Sequence, residues 1–258
     1  MKHQSQGSIP INAGAEGGVL KRLLHEGAQA WGFSPGALLA IWLIPVAIVL
    51  GGVAAALMGK EAYKWYTGED QFAEIMQVVF YLTAFVFNIL VIKQLWSSGE
   101  KLLASLYGFV LIGLFFMLGE ELSWGQRIFG WETSEKLAAI NKQEETNLHN
   151  IHGVGATFKW LQMVIGAYGT FLPLLLLLNL SRPVKKFFSF VIPHYTLIPF
   201  FAPMFFWRFY RNVISPDPPA GYYLVVSEFN EVMEFVLAVG MALFMLYQWR
   251  RLKAEGAQ

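Results

Sequence analysis

The sequence predicts an all-α, polytopic membrane protein built as a bundle of six transmembrane helices, and three observations indicate this fold class. Hydrophobic residues make up 55% of the 258 positions, and charged residues make up only 14%, against about 25% in an ordinary soluble domain. Apolar runs long enough to cross a bilayer as helices recur along the chain. These runs do not alternate between polar and apolar residues as transmembrane β-strands do.

Each predicted span is close to the length of about 20 apolar residues that a helix needs to cross the hydrocarbon core. The six spans are Ala37–Met58, Ile75–Ile92, Leu102–Gly119, Phe158–Leu180, Phe187–Trp207 and Tyr222–Tyr247. Gly166 and Gly169 in the fourth span predict close helix packing. Pro193, Pro199 and Pro203 predict that the fifth span is kinked or broken.

The spans define a transmembrane domain at residues 37–249, with tails at 1–36 and 250–258. In the first tail, Gly18–Trp31 combines apolar residues at roughly helical spacing with Lys21 and Arg22. This pattern fits an amphipathic helix on the membrane surface, and a disordered tail is the alternative. Lys and Arg are concentrated in the tails and in the loops after spans two and four. The positive-inside rule therefore predicts both termini in the cytoplasm.

Charge and composition exclude several classes of function. The formal net charge is only +1, so the chain has no electrostatic reason to bind nucleic acid. There are no cysteines, which excludes disulfides, thiolate metal sites and a cysteine nucleophile. Membrane lipids are the expected partners, together with a membrane-protein partner if the chain is a subunit.

Carboxylates are concentrated at the predicted outer ends of the spans. Ionisable groups at membrane depth usually face a bundle interior or a wet cavity and have partners there. In span six, Glu228, Glu231 and Glu234 form one acidic helix face, which requires cations, a metal or shared protons nearby. The alternative is that Arg208 and Arg211 neutralise these groups and only tie helices together.

The predicted outer loop between spans three and four carries the most informative motifs. If residues 145–152 are helical, Glu145, His149 and His152 lie on one helix face, and such residues are usual ligands of Zn, Mn or Fe. The alternative is ordinary hydrogen bonding at an interface. The predicted site has these members: as metal ligands Glu145, His149, His152 and Glu228; as catalytic carboxylates Glu120, Glu121 and Glu231; and for substrate binding or charge pairing Arg127, Arg208 and Arg211.

These motifs resemble those of a group of bacterial multi-pass membrane proteins that have no assigned activity, and the resemblance implies a location in a bacterial inner membrane. The matching pieces are Gly68-Glu-Asp70 with Glu74, Glu120-Glu-Leu-Ser-Trp-Gly-Gln-Arg127, Glu145-Thr-Asn-Leu-His-Asn150, and the acidic start of the last span. A much weaker likeness is to membrane hydrolases of the alkaline-ceramidase type, which implies a zinc site of three His, an Asp and a Ser. His149, His152 and His194 are the available histidines, whereas Glu231 and Glu234 stand where that family has its last His pair.

Three functions remain open from the sequence. The first is a metal-dependent hydrolase or transferase that acts on a lipid or lipid-linked substrate at the outer leaflet. The second is a structural or accessory subunit whose polar cluster docks a partner. The third is a transporter or a cation or proton pathway, although no inverted repeat supports it.

Overall fold

The computed structural model describes residues 18–141, 145–149, 151, 153–176, 181–214 and 221–256, except the side chains of Arg127, Arg182 and Tyr223. Over these residues the protein is helical, with no β-strand and one isolated β-bridge between Asn141 and Ile151. The all-α prediction is therefore confirmed. The chain divides into two compact units, residues 1–44 and residues 45–258.

In the first unit, the helix predicted over Gly18–Trp31 is present as α1 (Val19–Trp31). Gly32 ends α1 in the left-handed conformation, with φ of 64°, which glycine adopts readily. The next helix, α2 (Pro35–Met58), begins in this unit and continues into the second. The chain is thus helical over Val19–Trp31, and the location of α1 on a membrane surface stays a prediction.

The second unit contains the remaining helices, several of which match the predicted spans closely. They are α3 (Lys60–Thr67), α4 (Phe72–Ser97), α5 (Lys101–Glu121), α6 (Gln126–Phe129), α7 (Glu135–Ala138), α8 (Gly155–Leu175), α9 (Arg182–Val191), α10 (Ile198–Phe209) and α11 (Tyr223–Glu255). Short 3-10 turns at Ser123–Gly125 and Tyr195–Leu197 and a π-helical turn at Tyr210–Ile214 connect some of them.

Five segments within the described residues are long and apolar enough to cross a membrane. They are Pro35–Met58, Lys60–Ser97, Lys101–Glu121, Pro183–Ile214 and Leu224–Glu255. The helix in the region of the predicted fourth span, α8, is not among them, and residues 177–180 of that span lie outside the described residues. An integral membrane protein is therefore indicated, and the sixth span stays a prediction.

The region of the fifth span is broken, as its prolines predict, because α9 ends at Val191 and α10 begins at Ile198. Ile192, which precedes Pro193, is extended, with φ of −98° and ψ of 135°, as the proline ring requires of its neighbour. The helix considered over residues 145–152 is wrong, because Glu145 to His149 form a loop.

Glycines let the helices of the second unit pack closely. A methyl group added at Gly166 of α8 would lie 2.6 Å from the backbone N of Phe205 in α10. One added at Gly169 would lie 2.0 Å from the ring of Phe201. The close packing predicted from the two glycines of α8 is therefore confirmed, and it brings the first turns of α8 beside the last turns of α10.

Candidate functional site

A polar cavity of about 610 Å³ lies in the second unit, where the starts of α4, α8 and α11 meet the ends of α5 and α10. Its carboxylates are Glu69, Glu74, Glu120, Glu121, Glu145, Glu228, Glu231 and Glu234. Its basic side chains are Lys159, Arg208, Arg211 and His149, and its aromatic ones are Phe158, Trp160 and Trp207. The residues are far apart in sequence, so the cavity is a product of helix packing.

Most of the predicted site residues line this one cavity. They are Glu120, Glu121, Glu145, His149, Glu228, Glu231, Arg208 and Arg211. His152 lies outside the described residues, as does the side chain of Arg127. The structure therefore brings the described members together, whereas their catalytic and metal-binding roles stay predictions.

Glu120, at the end of α5, is a buried carboxylate, and both of its oxygens accept hydrogen bonds from the protein. Its Oε1 accepts a hydrogen bond from Nε1 of Trp124 at 2.6 Å. Its Oε2 accepts hydrogen bonds from the backbone N–H groups of Leu148 and His149, each at 2.8 Å, and lies 3.1 Å from Nδ1 of His149. Because N–H donors compensate the lost hydration of a buried carboxylate, Glu120 anchors the loop that carries His149.

Glu145 is held by a second set of hydrogen bonds in the same loop. Its Oε2 accepts hydrogen bonds from Oγ of Ser123 at 3.1 Å and from Nδ2 of Asn147 at 2.5 Å. Nδ2 of Asn141 in turn donates to the backbone oxygen and Oδ1 of Asn147, both at 2.9 Å. The two motifs that stand out in the sequence, at 120–127 and 145–150, are therefore partners in one hydrogen-bonded structure.

A strained turn connects these contacts. Ser123 and Trp124 have φ of 46° and 53°, and Gly125 has φ of 95°. Left-handed backbone in a non-glycine residue costs on the order of 1 to 3 kcal/mol and persists only where surrounding contacts require it. Here the contacts are those of Ser123 with Glu145 and of Trp124 with Glu120.

A second network joins three helices at the cavity wall. Oε1 of Glu234 in α11 accepts a hydrogen bond from Nε2 of Gln162 in α8 at 2.7 Å, and also one from Asn230. Oε1 of Gln162 accepts a hydrogen bond from Nε of Arg208 in α10 at 2.7 Å, and NH2 of Arg208 lies 3.7 Å from Glu234. Arg208 therefore neutralises one member of the predicted acidic face on α11.

Glu231, on the same helix face, has a different partner. Its Oε2 accepts a hydrogen bond from Nε2 of Gln77 in α4 at 3.0 Å. Gln77 is fully buried, and its Oε1 has no hydrogen-bond partner among the described residues. Glu231 thus has a neutral amide donor where Glu234 has an arginine.

The pKa of His149, in the described part of the loop, is shifted by its surroundings. Burial disfavours the charged ring, but the hydrogen bond with Glu120 and the negative charges of Glu234, Glu120 and Glu145 outweigh it and raise the pKa of His149 above its ordinary value. The protonated ring is therefore favoured beside these carboxylates.

The predicted metal centre does not assemble from the described residues. Among them, no three His, Asp or Glu side chains are grouped so that they could hold one metal ion. Glu145 is engaged by Ser123 and Asn147, and Nδ1 of His149 faces Glu120. Since His152 lies outside the described residues, a divalent metal stays a prediction.

Sequence reasoning missed the amides of the site. Gln77, Gln162 and Asn230 each donate a hydrogen bond to a cavity carboxylate. The available signal was their position within predicted spans, because Gln77 and Gln162 interrupt apolar stretches and Asn230 lies among the glutamates of span six. A buried amide in a membrane helix is expected to have a partner.

Comparison of the chain with protein-family models, with curated proteins and with solved structures finds no match.

Proposed function

We propose that this integral membrane protein is a hydrolase or transferase whose cavity holds the polar head of a lipid or lipid-linked substrate at the outer leaflet. The observation that carries the proposal is the 610 Å³ cavity, which combines carboxylates with basic side chains at the ends of apolar helices. Its volume is in the range of about 300 to 1,000 Å³ that is usual for small-molecule sites.

The surroundings of the cavity favour an amphiphilic substrate. The helix α5, which contributes Glu120 and Glu121, exposes apolar side chains on its outer face, including Phe109 and Phe115 at 72% and 58% exposure. In a membrane such side chains face acyl chains. A lipid could therefore keep its tails beside α5 while its head enters the cavity.

The basic side chains suit a phosphate-bearing headgroup. Lys159, Arg208 and Arg211 line the cavity together, and we assign this group of cations to the substrate phosphate. Lys159 is exposed and Arg211 half-buried at the cavity. Charge-assisted hydrogen bonds from such groups would fix the headgroup against the carboxylates.

Among the three carboxylates predicted to be catalytic, Glu231 is the best candidate for the general base. Both oxygens of Glu120 are occupied by N–H donors, so Glu120 is better suited to positioning the loop. Glu231 has one oxygen bonded to Gln77 and lines the cavity together with Glu121. Neighbouring carboxylates can divide the roles of acid and base between them.

The test is turnover of lipids by the purified full-length protein in liposomes of phosphatidylethanolamine and phosphatidylglycerol, followed by mass spectrometry of the headgroups. We expect wild-type protein to convert one of these lipids and Glu231→Gln to be slower by about 100-fold or more. The matched control is Glu135→Gln, an exposed carboxylate on α7. Equal rates in wild type and Glu231→Gln would contradict the assignment of Glu231.

The divalent metal is a separable part of the proposal. If Glu145, His149, His152 and Glu228 bind Zn, Mn or Fe, elemental analysis of the purified protein should find about one metal per chain. The change His149→Ala with His152→Ala should then remove it. Metal-free wild-type protein that still turns over lipid would exclude the metal and leave the carboxylate mechanism in place.

A second candidate function is an accessory subunit that docks a membrane-protein partner. The observation that favours it is that Glu120 and Glu145 both accept hydrogen bonds from residues of the loop region. For such a subunit, neither the wild type nor Glu231→Gln would convert lipids. Affinity purification from the native membrane would recover the partner with the wild type.

A further inference from the structure

We propose that α9, the first part of the candidate span Pro183–Ile214, does not cross the membrane but lies in its plane, at the end of the second unit opposite the cavity, where it helps to bind anionic phospholipid headgroups. The helix directions define this end. In α4, Glu74 near the start lines the cavity, and Lys93 lies five turns further on. In α11, Glu231 lines the cavity, and Arg251 lies near the far end.

The residue pattern of α9 is that of an interfacial helix. Lys185 and Lys186 are exposed, and at about 100° per residue Lys186 lies on the side of the helix opposite Val184 and Phe188, with Lys185 between the two sides. Val184 and Phe188 are nevertheless 41% and 40% exposed. Apolar side chains that the protein leaves uncovered, opposite a basic face, are typical of a helix at the boundary between headgroups and acyl chains.

Contacts with α11 hold α9 in this position. NH1 of Arg251 donates hydrogen bonds to the backbone oxygen of Ser189 at 3.1 Å and to its Oγ at 2.7 Å. The guanidinium carbon of Arg251 lies 3.9 Å from the ring centroid of Phe190, and Nε2 of Gln248 donates to the same Ser189 oxygen at 2.9 Å. The extended Ile192 then lets the chain turn from α9 into α10.

This end of the protein is basic, in contrast with the acidic cavity. The basic end, as we name it, contains Lys93, Lys101, Lys185, Lys186, Arg250, Arg251 and Lys253, and the carboxylates described there are Glu100 and Glu255. Nε of Arg251 pairs with Glu255 at 2.9 Å. The excess of positive charge complements anionic lipid headgroups, and each Lys or Arg near such a surface strengthens binding by about fivefold.

The test compares lipid retention by the full-length protein in nanodiscs that contain equal amounts of phosphatidylglycerol and phosphatidylcholine, with native mass spectrometry as the readout. We expect wild-type protein to retain phosphatidylglycerol preferentially. The change Lys185→Gln with Lys186→Gln should lower the preference by about fivefold per lysine. The matched control is Lys60→Gln with Lys136→Gln, which removes two exposed lysines from outside the basic end.

An unchanged preference in the α9 variant, or an equal loss in the control, would overturn the proposal. The orientation of α9 has its own test, because a chain without cysteines accepts a single spin label without background. Labels at Phe188→Cys and Lys186→Cys should report lipid and water, respectively. The same environment at both positions would show that α9 does not lie along the interface.

Discussion

The carboxylate of Glu120 accepts a hydrogen bond from the backbone N–H of His149 at 2.8 Å and lies 3.1 Å from the Nδ1 atom of its ring. One side chain at the end of a membrane helix therefore fixes both the backbone and the ring of a residue 29 positions further along the chain. The position of His149 at the cavity depends on this contact, so the loop and the cavity should lose their order together.

We predict that Glu120→Ala will destabilise the protein by about 3 kcal/mol or more. The change leaves the part-buried N–H donors of Trp124, Leu148 and His149 without their acceptor, and hydrogen bonds to a charged group contribute about 1.5 to 3 kcal/mol each. Thermal unfolding in detergent and the rate of proteolysis in the loop are the measurements. Glu135→Ala on exposed α7 is the control, and a similar effect of both changes would contradict this role of Glu120.

The raised pKa of His149 predicts how stability depends on pH. Burial opposes protonation, but the hydrogen bond with Glu120 and the nearby charges of Glu234 and Glu145 favour it more strongly. Because the folded protein binds this proton more tightly than the unfolded chain, the contribution is fully present below the unfolded pKa of about 6.5. It is lost as the pH rises through the higher pKa of the folded state.

The measurement is the difference in melting temperature between wild-type protein and His149→Gln. We expect the melting temperature of the wild type to exceed that of His149→Gln by more at about pH 5.5 than at about pH 8.5. These two values lie on either side of the pKa of histidine. A difference that grows with pH would show that the neutral ring is the form that stabilises the loop.

Replacement of glycine by alanine should have opposite effects at Gly166, where α8 packs closely against α10, and at Gly113 in α5, where space is open. In Gly166→Ala, the new methyl group would lie 2.6 Å from a backbone nitrogen, so helices must separate at a cost of about 1 to 3 kcal/mol. In Gly113→Ala, nothing lies within 4 Å of the new methyl group, and helix propensity favours alanine by up to about 1 kcal/mol. Melting temperatures of both variants in one detergent test this, and equal shifts would contradict it.

The positions of the helices could be predicted because they follow from the length of the apolar runs and from the placement of prolines along the sequence. An apolar run of membrane length fixed α2 and α5 to within a few residues. The prolines indicated the break before α10. They did not indicate that α9 is a separate amphipathic helix. The extra length of α11, which continues to Glu255, was missed because Arg250 and Arg251 end the apolar run.

The site could be predicted only in part. Since buried charges collect in one place, the distribution of carboxylates was sufficient to predict which carboxylates line the cavity. The local geometry of the loop was not predictable from helical spacing, because contacts between Glu120 and His149 determine it. Ser123 and Trp124 also adopt a left-handed backbone, which non-glycine residues seldom do.

The last prediction concerns Asn88, in the middle of α4. This side chain is fully buried, and neither its Nδ2 nor its Oδ1 has a hydrogen-bond partner among the described residues. A buried polar group without a partner costs about 1 to 3 kcal/mol, so Asn88→Leu, which keeps the branched skeleton of the side chain and removes its polar atoms, should stabilise the protein by up to about that amount. Thermal unfolding in detergent is the measurement.

Asn141→Leu is the matched control, because Asn141 is also buried but donates hydrogen bonds to Asn147 at 2.9 Å. The same substitution should therefore destabilise the protein at Asn141 and stabilise it at Asn88. If Asn88→Leu is also destabilising, the amide of Asn88 must bind a water molecule or a ligand inside the bundle. Asn88 shares the buried face of α4 with Gln77 and Tyr81, so that result would indicate a polar path from the cavity into the membrane interior and would favour the transport function.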